Sequence, residues 1–244
     1  MRVAVLDVDG TLFPGSVGLC MLDALARRGI CDSRQVEAVL EPVSRYRAGS
    51  ISYEEMAHTA TVAYAVAISG LGRAAVAAIA DEVWREERGR LFHFVRPLLT
   101  ALSGAGFSPV LLSAGPSEII ACIAADLGVP DYHGSRFATV DGVFVGSCEI
   151  MPGEAGGKVR LLESTFPRCS VDLTGSFAMG NSSNDIGVLS QVGHPVAFEP
   201  EPELRLVAAE RGWFIADRST ILRHVAELTG GRVVAHAPGD GRIQ

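Results

Sequence analysis

Apolar positions along the chain alternate between two spacings, and the alternation predicts a strand–helix rhythm. Arg2-Val3-Ala4-Val5-Leu6 is a short β-branched run without a polar face, the pattern of a strand buried inside a parallel sheet. Runs of the same kind occur at Ser108–Leu112, Ser176–Met179, Pro195–Phe198 and Trp213–Ile215. Between them lie helical stretches: one ending near Arg28 with Gly29 as its stop, then Pro97–Gly104, Lys158–Phe166 and Glu201–Arg211. Gly115-Pro116 opens a further helix, with Pro in its first turn and Gly128 at its end. Residues 136–148 alternate about Asp141-Gly142, a hairpin signal.

Residues 32–90 break the rhythm. Val36, Val39, Leu40 and Val43 recur at i, i+3, i+4 and i+7, with Pro42 as a kink. Ser52-Tyr53-Glu54-Glu55 is a capping box that starts a second helix, and Arg73–Arg88 makes a third. The expected architecture is therefore α/β, a Rossmann-like doubly wound parallel sheet, with an inserted all-helical cap. Its segments are a core at 1–15 and 92–230, a cap at 16–91 and a loose, Gly-rich tail at 231–244.

Composition narrows the function. The chain has 244 residues, 48% of them hydrophobic, and a net charge of −7. That charge argues against nucleic acid or an anionic membrane as a partner, and an anionic substrate would need a local positive site. Residues 60–72 are apolar but too short, and too interrupted by Gly70 and Gly72, to span a bilayer. Cys20, Cys31, Cys122, Cys148 and Cys169 are scattered without a C-x-x-C pair. They read as reduced thiols of a cytoplasmic protein, with no signal peptide expected before the first strand.

Polar residues collect just past the strands: Asp7 and Asp9, Ser113, and the stretch Gly180-Asn181-Ser182-Ser183-Asn184-Asp185. Parallel strands bring such ends to one edge of the sheet, where ligands of open α/β folds bind. Asp7 and Asp9, two residues apart at a strand end, emerge on one side, and Gly10 lets the backbone turn. Two neighbouring carboxylates call for a cation between them, most simply Mg²⁺. Lys158 is the chain's only lysine among 21 basic residues. A position that keeps an ammonium where arginine serves elsewhere needs a compact point charge.

Asp7-Val8-Asp9-Gly10-Thr11, Ser113, Lys158 and Gly180–Asp185, in this order, resemble the motifs of the haloacid dehalogenase superfamily of phosphohydrolases over residues 2–217. The helical insert after the first motif is similar to the cap of its phosphoserine-phosphatase-like branch. The resemblance implies a phosphatase acting on a small phosphomonoester through an aspartyl-phosphate. Asp7 would be the nucleophile and Asp9 the acid/base, with Ser113 and Lys158 completing the catalytic set. Phosphate or substrate would be held by Gly10, Thr11, Ser113, Ala114, Gly115, Lys158 and Asn184. Mg²⁺ would be held by Asp7, the Asp9 carbonyl, Asn181 and Asp185.

Two positions depart from that pattern. The last motif usually begins Gly-Asp, and here it begins Gly180-Asn181, which removes one negative charge and predicts weaker metal binding. The Glu and cap Arg that read an amino acid in phosphoserine phosphatases align with Ser16 and Ala60, which disfavours phosphoserine itself. A phosphotransferase or phosphomutase of the same superfamily, and a non-catalytic phosphate-binding protein, are the alternatives. Dehalogenase chemistry has no use for Asp9. Gly153–Lys158 is one residue short of a P-loop, and Gly70–Ala75 matches a dinucleotide fingerprint only loosely.

Overall fold

The computed structural model describes residues 1–166 and 170–231. Most of the expected loose tail, residues 232–244, and Cys169 lie outside the described residues. Seven strands form one sheet: β1 (Arg2–Leu6), β2 (Phe107–Pro116), β3 (Asp131–Val140), β4 (Val143–Ile150), β5 (Phe177–Gly180), β6 (His194–Phe198) and β7 (Phe214–Ala216). Their order is β4-β3-β2-β1-β5-β6-β7, parallel except for the antiparallel β3–β4 hairpin. The doubly wound α/β fold read from the sequence is the fold observed.

The helices are α1 (Val17–Arg27), α2 (Ser33–Arg47), α3 (Tyr53–Ala67), α4 (Arg73–Glu87), α5 (Val95–Gly104), α6 (Ser117–Leu127), α7 (Gly157–Thr165), α8 (Ile186–Leu189), α9 (Pro202–Arg211) and α10 (Ile221–Thr229). Strand alternation sets the two layers. Ala4 and Leu6 of β1 pack with α1, α4, α5, α6 and α10, whereas Val3 and Val5 pack with α7, α8 and α9. Residues 16–91 hold α1–α4. Among these, α2 and α3 pair with each other and α3 also lies along β4, while α1 and α4 pack against α6. Among the described residues, no helix is long and apolar enough to cross a membrane.

Sequence and structure differ at three places. The strand expected at 108–112 runs on to Pro116, so Pro116 caps α6 from outside instead of sitting in its first turn. The hairpin's first strand begins at Asp131, earlier than the alternation at 136 suggested. Its turn falls where expected, with Asp141 and Gly142 both at positive φ. Helix α10, which the strand–helix count did not include, buries Ile221 and Val225.

The sheet register carries the function. Leu6 lies opposite Leu111 on β2 and Met179 on β5, so Asp7, Ser113 and Asn181 come to the same edge of the sheet. The chain runs outward from β1 through β2 to β4, then returns to the other side of β1 at β5. That reversal opens a crevice at the C-terminal end of β1.

Candidate active site

Asp7 is the first residue past β1, and its backbone N–H donates to the Met179 carbonyl at 3.0 Å, tying it to β5. Its side chain is buried. Oδ2 accepts from the Thr11 hydroxyl at 2.7 Å, and Oδ1 accepts from Lys158 Nζ at 2.6 Å. The same ammonium donates to Asp185 Oδ1 at 2.6 Å. Lys158 reaches this point from the first turn of α7, 151 residues along the chain from Asp7. Asp185 Oδ2 is held by the backbone N–H groups of Asn181 and Ser182, each at 3.0 Å, and by the Ser182 hydroxyl at 3.2 Å.

Glycine is required at two points of this floor. A Cβ at Gly180 would stand 2.2 Å from Asp185 Cγ, and one at Gly10 (φ +75°) would stand 2.2 Å from Asn181 Nδ2. The chain thus passes close beneath the Asp185 and Asn181 side chains.

Burial pushes the Asp7 carboxyl up to about 7, with Lys158 pulling it down and the neighbouring Asp185 adding to the rise. Burial works against the Lys158 charge as well, but Asp185 and Asp7 more than offset it and hold the ammonium above its ordinary value. The Asp9 carboxyl is raised by burial, against hydrogen bonds from the Val17 N–H at 3.0 Å and the Ser16 hydroxyl at 2.8 Å.

Above this floor opens a cavity of about 340 Å³. Asp7, Asp9, Gly10, Ala114, Gly115 and Asn181 line its base. Thr11, Ser113, Lys158 and Asp185 are buried beneath. The Ser113 hydroxyl accepts from the Gly115 N–H at 3.0 Å, and the Ser135 hydroxyl donates to the Ala114 carbonyl at 2.7 Å, so the 113–115 segment is pinned from two sides. Asn184 does not line the cavity; its amide nitrogen is buried without a hydrogen-bond partner. The rest of the wall carries the apolar residues Leu19, Val39, Met56, Ala57, Ala60 and Phe137 together with two charged ones, Arg47 and Glu201.

The chain matches the haloacid dehalogenase-like hydrolase family over residues 4–190. This chain belongs to the haloacid dehalogenase-like hydrolases. It is 33% identical to phosphoserine phosphatase SerB1 of Mycobacterium tuberculosis H37Rv, over 88% of this chain and 70% of that protein. A phosphoserine phosphatase of Halobacterium salinarum is 28% identical over 83% of this chain and 88% of its own length. Among solved structures, a Bordetella pertussis protein of unknown function is 27% identical with a TM-score of 0.76, covering 89% of this chain and 98% of that one. A substrate-bound phosphoserine phosphatase shares the fold at a TM-score of 0.65 and 18% identity, covering 92% and 98%. The fold is that of the phosphoserine-phosphatase-like branch, as the helical insert suggested.

The donor set of this hydrolase suits a hard cation. Asp7, Asp9 and Asn181 all line the cavity base, and the oxygens they could offer are the Asp7 carboxylate, the Asp9 backbone carbonyl and the Asn181 amide oxygen. Thr11 Oγ1 lies 3.4 Å from Asn181 Oδ1, so the amide oxygen faces the first motif. Among the described residues no three Asp, Glu, His or Cys side chains form a metal cage. Asp9 is turned toward Ser16 and Val17, and both oxygens of Asp185 are already engaged. A cation here would thus draw on a carbonyl and an amide in addition to carboxylate.

The sequence alone did not single out Ser135 or Ser182 as supports, nor the Tyr46–Glu201 hydrogen bond beside the cavity. Ser135 and Tyr46 carry no local mark because their partners, Ala114 and Glu201, lie on distant segments, whereas Ser182 sits three residues before Asp185 in a local capping pattern that the sequence does show.

Proposed function

We propose that the chain is a Mg²⁺-dependent phosphomonoester hydrolase that works through an aspartyl-phosphate on Asp7. The observation that carries this reading is the single buried ammonium of Lys158, 2.6 Å from both Asp7 and Asp185 at the base of a substrate-sized cavity. Asp7 Oδ attacks phosphorus while the bond to the ester oxygen breaks, and Asp9 gives its proton to the departing alkoxide. Asp9 then takes a proton from the water that cleaves the acyl phosphate. Lys158 balances the negative charge spread over nucleophile and phosphoryl oxygens, and Ser113, whose hydroxyl accepts from the Gly115 N–H and keeps its own proton to donate, holds a phosphoryl oxygen. Mg²⁺, held by Asp7, the Asp9 carbonyl and Asn181 with Asp185 in support, supplies additional charge neutralisation when bound. The α2–α3 pair serves as the cap over this chemistry.

The relatives' names point to phosphoserine. In this chain the Ser16 hydroxyl is spent on Asp9, and Ala60 brings no charge to the wall. We therefore favour a small phosphomonoester other than phosphoserine, with Arg47 and Glu201 as the charged groups that remain on the wall. Free Cys20, Cys31, Cys122 and Cys148 agree with a reducing cytoplasmic setting. The test is phosphate release across a panel of phosphomonoesters with and without Mg²⁺. Turnover must need the metal and vanish in Asp7→Asn. Binding without turnover would support the phosphate-binding alternative that Asn181 permits, and product transfer to an added alcohol would mark a phosphotransferase.

A further inference from the structure

Ser16 occupies the N-cap of α1, in extended backbone (φ −123°, ψ 124°), yet its side chain makes no capping hydrogen bond. Serine at that position ordinarily accepts from the N–H two or three residues on. Here the hydroxyl instead donates to Asp9 Oδ2 at 2.8 Å, and Asp9 Oδ1 takes the N–H of Val17, the first residue of the helix. A locally favoured bond has been given up, and the gain falls on a carboxyl that lines the cavity. Two anchors, on two different oxygens, fix both the direction and the rotation of the Asp9 carboxyl. With only the Val17 bond it would pivot about its terminal torsion, which is broad for aspartate.

We propose that Ser16 is a positioning residue that orients Asp9 for proton transfer to the leaving oxygen. This inference rests on the reading of Asp9 as general acid given above. As the Asp7 oxygen–phosphorus bond forms and the phosphorus–ester oxygen bond breaks, the electron pair of the broken bond goes to the ester oxygen. That oxygen takes the proton from Asp9, leaving the carboxylate between Ser16 and Val17. In the second half, water donates its proton back to the same carboxylate as the acyl phosphate opens. An alkoxide needs this proton in order to leave. A nitrophenolate leaves without it.

The test compares kcat/KM, which reports the half-reaction up to loss of the alcohol, for an alkyl phosphate and for p-nitrophenyl phosphate, in Mg²⁺, for wild type, Ser16→Ala, Ser16→Thr and Asp9→Asn. Positioning predicts that Ser16→Ala lowers the alkyl rate about tenfold more than the aryl rate, a fraction of the usual worth of general acid catalysis. Asp9→Asn should skew the ratio in the same direction and further, and Ser16→Thr should recover most of it. Equal losses of kcat/KM on both esters would overturn the proposal while leaving the hydrolase reading intact. A wild type that turns over neither ester would sink both. If Ser16→Ala fails to fold, Ser16→Gly keeps a tolerated N-cap without the hydroxyl and carries the same comparison.

Discussion

The base of the cavity and the α2–α3 pair above it are held in different ways. At the base, Lys158, Asp7 and Asp185 are buried, and every carboxylate oxygen of the two aspartates accepts at least one hydrogen bond. The α2–α3 pair carries no buried ion pair among the described residues; its links between polar side chains to the rest of the molecule include Tyr46 to Glu201 and His58 Nδ1 to Glu154 at 3.2 Å, both partly buried or exposed. Buried charges that lose a partner are costly, whereas exposed pairs contribute little. The base is therefore intolerant of change and the upper wall is free to vary, which is where selectivity among leaving groups can be altered without loss of the chemistry.

The sharpest way to break that contrast is Lys158→Met. It strands two carboxylates, Asp7 and Asp185, in a buried site. We expect phosphate release to fall below detection and stability to drop by about 3–5 kcal/mol in urea denaturation. A folded, active variant would show that the ammonium is dispensable and that the base is no more demanding than the surface.

Much of this base was legible in the sequence, and the reason is local. Strand period, a turn glycine and a carboxylate at the strand end all fall within Arg2–Gly10, so short-range rules suffice. Lys158 stood out by its scarcity in composition, not by any local pattern. What stayed hidden depends on distant segments. Ser16 looks like an ordinary helix cap until Asp9 is seen beside it. β2 runs on through Gly115-Pro116, a pair that reads as a helix start, because pairing of Pro116 with Ser135 on β3 extends it. The first residues of β3, Asp131–Ser135, are polar and contain a glycine, so sheet pairing overrode their turn-like composition.

Asn181→Asp tests the base from the other direction. It restores a carboxylate beside Gly10 and Thr11, where an amide oxygen now stands 3.4 Å from the Thr11 hydroxyl. Calorimetric titration with Mg²⁺ alone should show about tenfold tighter binding, since affinity for hard cations follows ligand charge. Unchanged affinity would mean that Asn181 is not a ligand.

Selectivity is the next comparison, and it belongs to the upper wall. Ala60→Arg places a guanidinium among apolar neighbours that line the cavity. The ratio of phosphoserine to p-nitrophenyl phosphate turnover should rise about tenfold, the worth of one charge-assisted hydrogen bond. The base should stay unaffected, so activity toward the aryl ester reports whether the fold survived. A ratio that does not move would place the leaving-group site away from α3.

The smallest effect is expected at Tyr46→Phe. Tyr46 donates to Glu201, and its ring meets Tyr53 edge-on with centroids 5.7 Å apart. Phenylalanine keeps the ring contact and loses only the hydroxyl, while Glu201, partly exposed, can turn to water. The stability change should therefore stay within about 1 kcal/mol. If the α2–α3 pair opens to admit substrate, loosening this link should change KM more than kcat for an alkyl phosphate. A large loss of stability instead would mean that the wall above the cavity is held as firmly as its base, and the contrast drawn between them would fail.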